Sequence, residues 1–109
     1  MPWLVRDTQV LASLEVAESF RSRLKGLLGR DELDGALLLR PARSVHTLGM
    51  RFSIDVAYCD RDLVVLRTHT LPPHRLGRPV RRACAVLEAE AGAFERWGLC
   101  VGDRLEVQG

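Results

Sequence analysis

Residues 46–55, His46-Thr47-Leu48-Gly49-Met50-Arg51-Phe52-Ser53-Ile54-Asp55, gather an imidazole, a hydroxyl, a guanidinium and a carboxylate around one glycine. Such groups can move protons near neutral pH, hold an anion, or exchange hydrogen bonds with a polar ligand. Three readings follow. In an acid/base hydrolase, Asp55 orients His46, which acts as the general base. In a binding domain, the same groups, with Asp55 polarising His46 or Arg51, grip a polar or anionic ligand. In a structural or interaction domain, the motif residues lock loop to helix through a buried ion-pair network, or Thr47 and Asp55 make local backbone hydrogen bonds and His46 is a packed residue. Ser44, Ser53 and Cys59 are the available nucleophiles, but none sits in a Gly-x-Ser-x-Gly elbow. A metal set of His46, Met50 and Asp55 lacks a second histidine at ligand spacing, so no metal is expected, nor any cofactor.

Other charged groups bear on this stretch. Glu88 and Glu90 fall on one face of a strand, where paired carboxylates can do acid/base chemistry. Two like charges on a buried face are costly, so at least one is expected to be exposed or paired, with Arg23, Arg30 or Arg51 as partners. The loop 74–82, His-Arg-Leu-Gly-Arg-Pro-Val-Arg-Arg, is basic but has no interleaved aromatic for base stacking. The formal net charge of +2 is small, so a nucleic-acid partner is not expected and the loop reads as solvated.

The elements that position these groups follow from periodicity. Residues 8–16 alternate as a first strand. A helix is expected over 18–29, with Phe20, Leu24, Leu27 and Leu28 on one face, Gly26 inside it and Gly29 at its end. Arg23 then lies at the border of the apolar stripe, with Arg30 on the same side. Ala36-Leu37-Leu38-Leu39 reads as a buried strand stopped by Pro41. Ile54–Cys59 and Leu63–Leu71 form a hairpin about the turn Asp60-Arg61-Asp62, with Ile54, Val56 and Tyr58 facing the core and Asp55 facing a surface or cavity beside Ala57 and Cys59. Ala83–Ala91 is a strand, Phe94–Trp97 a helical turn, and Arg104–Val107 a last strand. The expected fold is α+β: a β-dominated domain spanning 1–109, a curled mixed sheet or small partly open barrel with one main helix packed on it.

Composition is that of an ordinary globular domain, 47% hydrophobic and 28% charged. No apolar run approaches a membrane span, and the N-terminus lacks the pattern of a signal peptide, so the chain reads as soluble and cytoplasmic with no membrane partner. The three cysteines, Cys59, Cys84 and Cys100, have no Cys-x-x-Cys spacing and read as buried free thiols.

The spaced string Arg23-x-x-Gly-Leu-Leu-Gly-Arg30, then Gly35-Ala-Leu-Leu-Leu with Pro41, then His46-Thr-Leu-Gly-Met-Arg-Phe-Ser-Ile-Asp55, then Leu87-Glu88 with Gly92, and Gly102-Asp103 resembles the prokaryotic family known as domain of unknown function 192, over roughly residues 8–107. The resemblance implies a small β-rich domain with one main helix, and no particular reaction, substrate or cofactor. Some members of that family carry signal or lipoprotein segments, a pattern not read here. The family's motif positions fall on Arg23, Gly26, Arg30, His46, Thr47, Met50, Asp55, Glu88, Gly92, Gly102 and Asp103. They group the helix with the 46–55 loop. The expected site is therefore one polar pocket, binding a small polar or anionic ligand or a peptide segment through Arg23, Arg30, His46, Thr47, Met50, Arg51, Asp55 and Glu88. Within it, Arg23 or Arg30 would pair Asp55 or Glu88. For catalysis the candidates are His46, Asp55 and Glu88; whether the domain is an enzyme is left open.

Overall fold

The uninterrupted apolar run becomes β3 (Ala36–Leu39), buried at all four positions because both its faces are covered. The computed structural model describes residues 2–27 and 29–109, and for Phe20 and Leu24 their backbone only. The other elements are β1 (Trp3–Arg6), β2 (Gln9–Ala17), α1 (Phe20–Lys25), β4 (Ile54–Cys59), β5 (Val65–Leu71), β6 (Ala85–Glu90), α2 (Ala93–Trp97) and β7 (Glu106–Gln108). They build one mixed sheet in the order β5-β4-β6-β3-β2-β1-β7, in which β2 and β3 are parallel and the other pairs antiparallel.

The sheet curls until its edges approach. Leu105 N–H donates to the Leu63 carbonyl (2.9 Å), Val65 N–H to Asp103 (2.8 Å) and Gly102 N–H to Val65 (2.8 Å), but the ladder stops there and the sheet is not closed. Register shifts at Leu4/Val5 and Tyr58/Cys59 add the local twist that such curvature needs. The expected α+β, β-dominated architecture is the observed one.

Alternation along β3, β4 and β6 feeds two cores, one on each face. The first holds Ala36, Leu38, Ala57, Cys59, Leu87 and Ala89 with Phe94 of α2. The second holds Leu37, Leu39, Ile54, Val56, Tyr58 and Val86, with Leu27, Leu33 and Met50 packed over them. Asp55 therefore points to the side of the first core, with Ala57 and Cys59; it is 5% exposed and lines a cleft with Thr68, Thr70 and Gly92.

Three local expectations are corrected. The helix is half the expected length. Ser19 caps its start, its Oγ accepting from Ser22 N–H at 3.0 Å, and Gly26 turns the chain out at φ 46°, so the glycine ends the helix instead of interrupting it. Of its expected apolar face, Leu27 is buried, while Leu28 and the side chains of Phe20 and Leu24 lie outside the described residues. A strand precedes the expected first one: β1 pairs β2 across Asp7 (φ 51°) and Thr8 (φ 74°), both left-handed as a two-residue primed hairpin turn requires. Among the cysteines, only Cys59 is buried; Cys84 and Cys100 are exposed thiols. Among the described residues no helix is long and apolar enough to cross a membrane.

Candidate functional site

Glu88 is the least ordinary residue of the sheet. It stands in the middle of β6, opposite Leu37 of β3 on one side and Val56 of β4 on the other, both buried members of the second core. It is 3% exposed. Burial pushes its carboxyl up to about 8, the charge of Arg30 drawing it back only in part, and no hydrogen bond among the described residues offsets the burial. Glu90, two residues on, reaches solvent and pairs with Arg96 at 2.6 Å. The expectation that one of the two glutamates would be exposed or paired therefore holds for Glu90, although its partner is none of Arg23, Arg30 or Arg51.

Above Glu88 lies a cavity of about 70 Å³, lined by Arg23, Lys25 and Gly26 at the end of α1, by Leu27 and Leu39, by Ser44, Val45 and His46, and by Met50. By volume it holds about five waters or one small polar group. His46 Nδ1 is shut off from solvent and has no hydrogen-bond partner among the described residues. Arg23 donates from Nη1 to the Glu18 carbonyl at 3.1 Å, and its guanidinium has further N–H groups to offer.

The loop that carries His46 is tied down by Thr47, which is fully buried. Thr47 Oγ1 donates to the Pro72 carbonyl (2.6 Å) and accepts from Arg75 N–H (2.8 Å). Its backbone N–H donates to Arg75 O, and its carbonyl accepts from His74 N–H, each at 2.8 Å. One residue thus straps the basic segment 72–77 across the site loop. Gly77 is needed where that strap crosses, since a Cβ there would stand 2.8 Å from both the Val45 carbonyl and the Tyr58 hydroxyl. Thr47→Val keeps the shape but leaves a backbone donor and acceptor unpaired. It is expected to lower stability by about 2 kcal/mol in urea denaturation, with Thr47→Ser recovering more than half of the loss. A loss below about 0.5 kcal/mol would show that the strap does not depend on this hydroxyl.

Asp55 works on the opposite face. Its carboxylate accepts from Gly92 N–H (3.0 Å), Phe94 N–H (3.1 Å) and the Thr70 hydroxyl (2.7 Å). It thereby caps α2, whose own N-cap, Gly92, has no side chain to do so. The far end of α2 is held by Arg6, which donates to the Trp97 carbonyl (2.7 Å), the Gly98 carbonyl (3.0 Å) and Asp103 (3.1 Å). An anion at the N-terminus and a cation at the C-terminus both suit the helix dipole.

Of the eight residues expected in one pocket, the structure brings four together: Arg23, His46, Met50 and Glu88. Thr47 supports the loop from behind. Asp55 does not orient His46 or Arg51, because strand alternation puts it on the other side of the sheet. Arg30 lies beyond the end of α1, where counting 100° per residue no longer applies, and forms a two-pronged pair with Glu15 at 2.8 and 3.2 Å. This pairing holds the Glu15 carboxyl below its ordinary value. Arg51 pairs Asp31 in solvent at 2.6 Å. Neither Arg23 nor Arg30 pairs Asp55 or Glu88. Lys25, the last residue of α1, also lines the cavity. Ser44, weighed only as a nucleophile, also lines the wall. Among the described residues no group of three His, Cys, Asp or Glu side chains is placed to hold a metal.

The DUF192 family model, described as Uncharacterized ACR, COG1430, matches residues 4–107. A UPF0127 protein of Pyrococcus furiosus is 30% identical over 108 residues, which is 94% of this chain and 93% of the relative. Among solved structures, a protein of unknown function from Novosphingobium aromaticivorans superposes with a TM-score of 0.81 at 24% identity, covering 96% of this chain and 83% of its own. A proposed transcription regulator from Sinorhizobium meliloti does so with a TM-score of 0.81 at 23% identity, covering 97% and 91%. At those identities the structural likeness establishes a common fold alone. The family match runs from the first strand to the last, and the chain belongs to the DUF192 family.

Proposed function

We propose that this domain is a binding module for a small polar or anionic ligand, seated in the cavity shared by Arg23, His46 and Glu88. The observation that carries the reading is Glu88: a carboxyl buried in an apolar sheet interior, with its pKa raised to about 8 and no hydrogen-bond partner among the described residues, lines a cavity. Buried polar groups almost always find partners, and His46, whose Nδ1 has none among the described residues, lines the same small space. A ligand in the cavity would satisfy groups that the fold leaves unsatisfied. The volume suits one small group, and a peptide would reach it with a single side chain. The exposed thiols of Cys84 and Cys100 fit a reducing, cytoplasmic compartment.

The hydrolase reading loses its orienting carboxylate, since Asp55 is committed to α2 on the other face. Thermal denaturation across a panel of small polar metabolites tests the binding reading. A ligand at a hundred times its Kd adds about 2.7 kcal/mol, which raises Tm by on the order of 10 °C in a domain of this size. At least one compound is expected to do so for the wild type and to lose most of the shift with Arg23→Ala. Equal shifts in the two proteins, or none across the panel, would count against the cavity as the site.

A further inference from the structure

We propose that the cavity takes the carboxylate group of a small organic acid, balanced by Arg23 and Lys25 and seated against a Glu88 carboxyl that keeps its proton while the ligand is bound. This inference rests on the binding reading above and adds the ligand's class and its linkage to a proton. Three observations converge on it. First, the charged groups of the cavity lining are asymmetric: Arg23 and Lys25 supply positive charge, and the one acid is Glu88. Half-buried Arg23 and exposed Lys25 stand at the solvent side, while Glu88, 3% exposed, stands at the inner end. An entering anion meets the cations first and ends beside the acid. Second, a protonated carboxyl donates one hydrogen bond, and a carboxylate is the acceptor that makes such a bond short and strong. A guanidinium fork suits the same planar, two-oxygen group. Third, a volume of about 70 Å³ suits a group the size of a carboxylate with one or two carbons.

The proton is what makes the arrangement consistent. Around Glu88, Arg23 and Lys25 come from the end of α1, Arg30 from the turn beyond it, His46 from the site loop and the Tyr58 hydroxyl from β4, while β3 offers Leu37 and Leu39. Ionised Glu88 would place a negative charge against the incoming carboxylate in a poorly solvated space. Binding an anion therefore favours the protonated acid, and by linkage the affinity falls as Glu88 ionises. A cationic ligand would do the reverse.

Calorimetric titration of the full chain with acetate, inorganic phosphate, methylammonium and glycerol, at pH 7 and pH 9, tests this. Repeating it in buffers of different ionisation enthalpy counts the protons. Acetate is expected to bind about tenfold more weakly at pH 9 than at pH 7, taking up close to one proton per molecule at pH 9, as follows from a carboxyl titrating near 8. Glu88→Gln, neutral at both values, is expected to hold acetate with less than a twofold difference between them. Acetate binding that neither depends on pH nor takes up a proton would overturn the inference. So would phosphate binding without acetate, or tighter binding of methylammonium at pH 9, and both of these leave the binding reading standing. Failure of all four probes to bind would overturn the inference and count against the binding reading as well.

Discussion

Glu88→Gln is expected to stabilise the protein at pH 9 by as much as about 5 kcal/mol, and to change its stability little at pH 4. The wild-type carboxyl has an ordinary value of 4.5 in the unfolded chain and about 8 in the folded one. The folded state therefore binds the proton more tightly. Below pH 4.5 both states are protonated and the acid costs no more than an amide of the same shape. Between pH 4.5 and 8 the unfolded chain ionises while the folded one resists, so stability falls with rising pH. Above pH 8 both are ionised and the whole cost is present. A shift from 4.5 to about 8, at 1.36 kcal/mol per unit, gives on the order of 5 kcal/mol, a large share of what a domain this size possesses. The checking measurement is urea denaturation of both proteins from pH 4 to pH 9. The two stability curves should meet at the acid end and diverge through neutrality. Parallel curves would mean that Glu88 is ionised in the folded protein or reaches water freely.

Asp55→Ala is expected to lower stability by about 4 kcal/mol, and Asp55→Asn by roughly half of that. The carboxylate accepts three hydrogen bonds, two of them from the first N–H groups of α2, and a charged acceptor contributes about 1.5–3 kcal/mol per bond before relaxation. Alanine leaves the Phe94 N–H buried without a partner and removes the cap of a five-residue helix that cannot stand alone. Asparagine keeps one acceptor but turns an amide donor toward either the N–H groups or the Thr70 hydroxyl. Because the damage lies on the face opposite the cavity, ligand-induced thermal shifts should survive in whatever fraction folds. An orienting partner of His46 would behave in the opposite way, with little loss of stability and loss of function. A cost below about 1 kcal/mol for Asp55→Ala would rule out the capping role.

These two carboxylates show what sequence could reveal. Both stood out as acidic residues in strands whose neighbours are apolar, and alternation assigned each to a face correctly: Asp55 with Ala57 and Cys59, Glu88 with Val86. What alternation could not supply was the partner on that face. Asp55 meets α2 from 37 and 39 residues away, through backbone N–H groups that no residue type announces. Arg30 meets Glu15 across 15 residues because the chain leaves the helix at Gly26, and a positive-φ glycine reads equally well as a costly interior residue. The first hairpin was hidden for a similar reason: Asp7-Thr8 forms a turn usually marked by Asn-Gly or Asp-Gly. The strands at the centre of the sheet were legible because burial on both faces needs long apolar stretches, which survive without tertiary information. The grouping of Arg23, His46 and Glu88 came from the spacing of a family signature, not from periodicity.

The cavity itself is the claim on which the functional account stands. Its most direct test is a crystal structure of the protein grown with a saturating mixture of small organic acids. The account predicts a carboxylate in the space between Arg23 and Glu88, with His46 at its wall. A cavity that holds only ordered water bridging Glu88 and His46 under those conditions would contradict it, and would leave the buried acid as a hydrated structural residue.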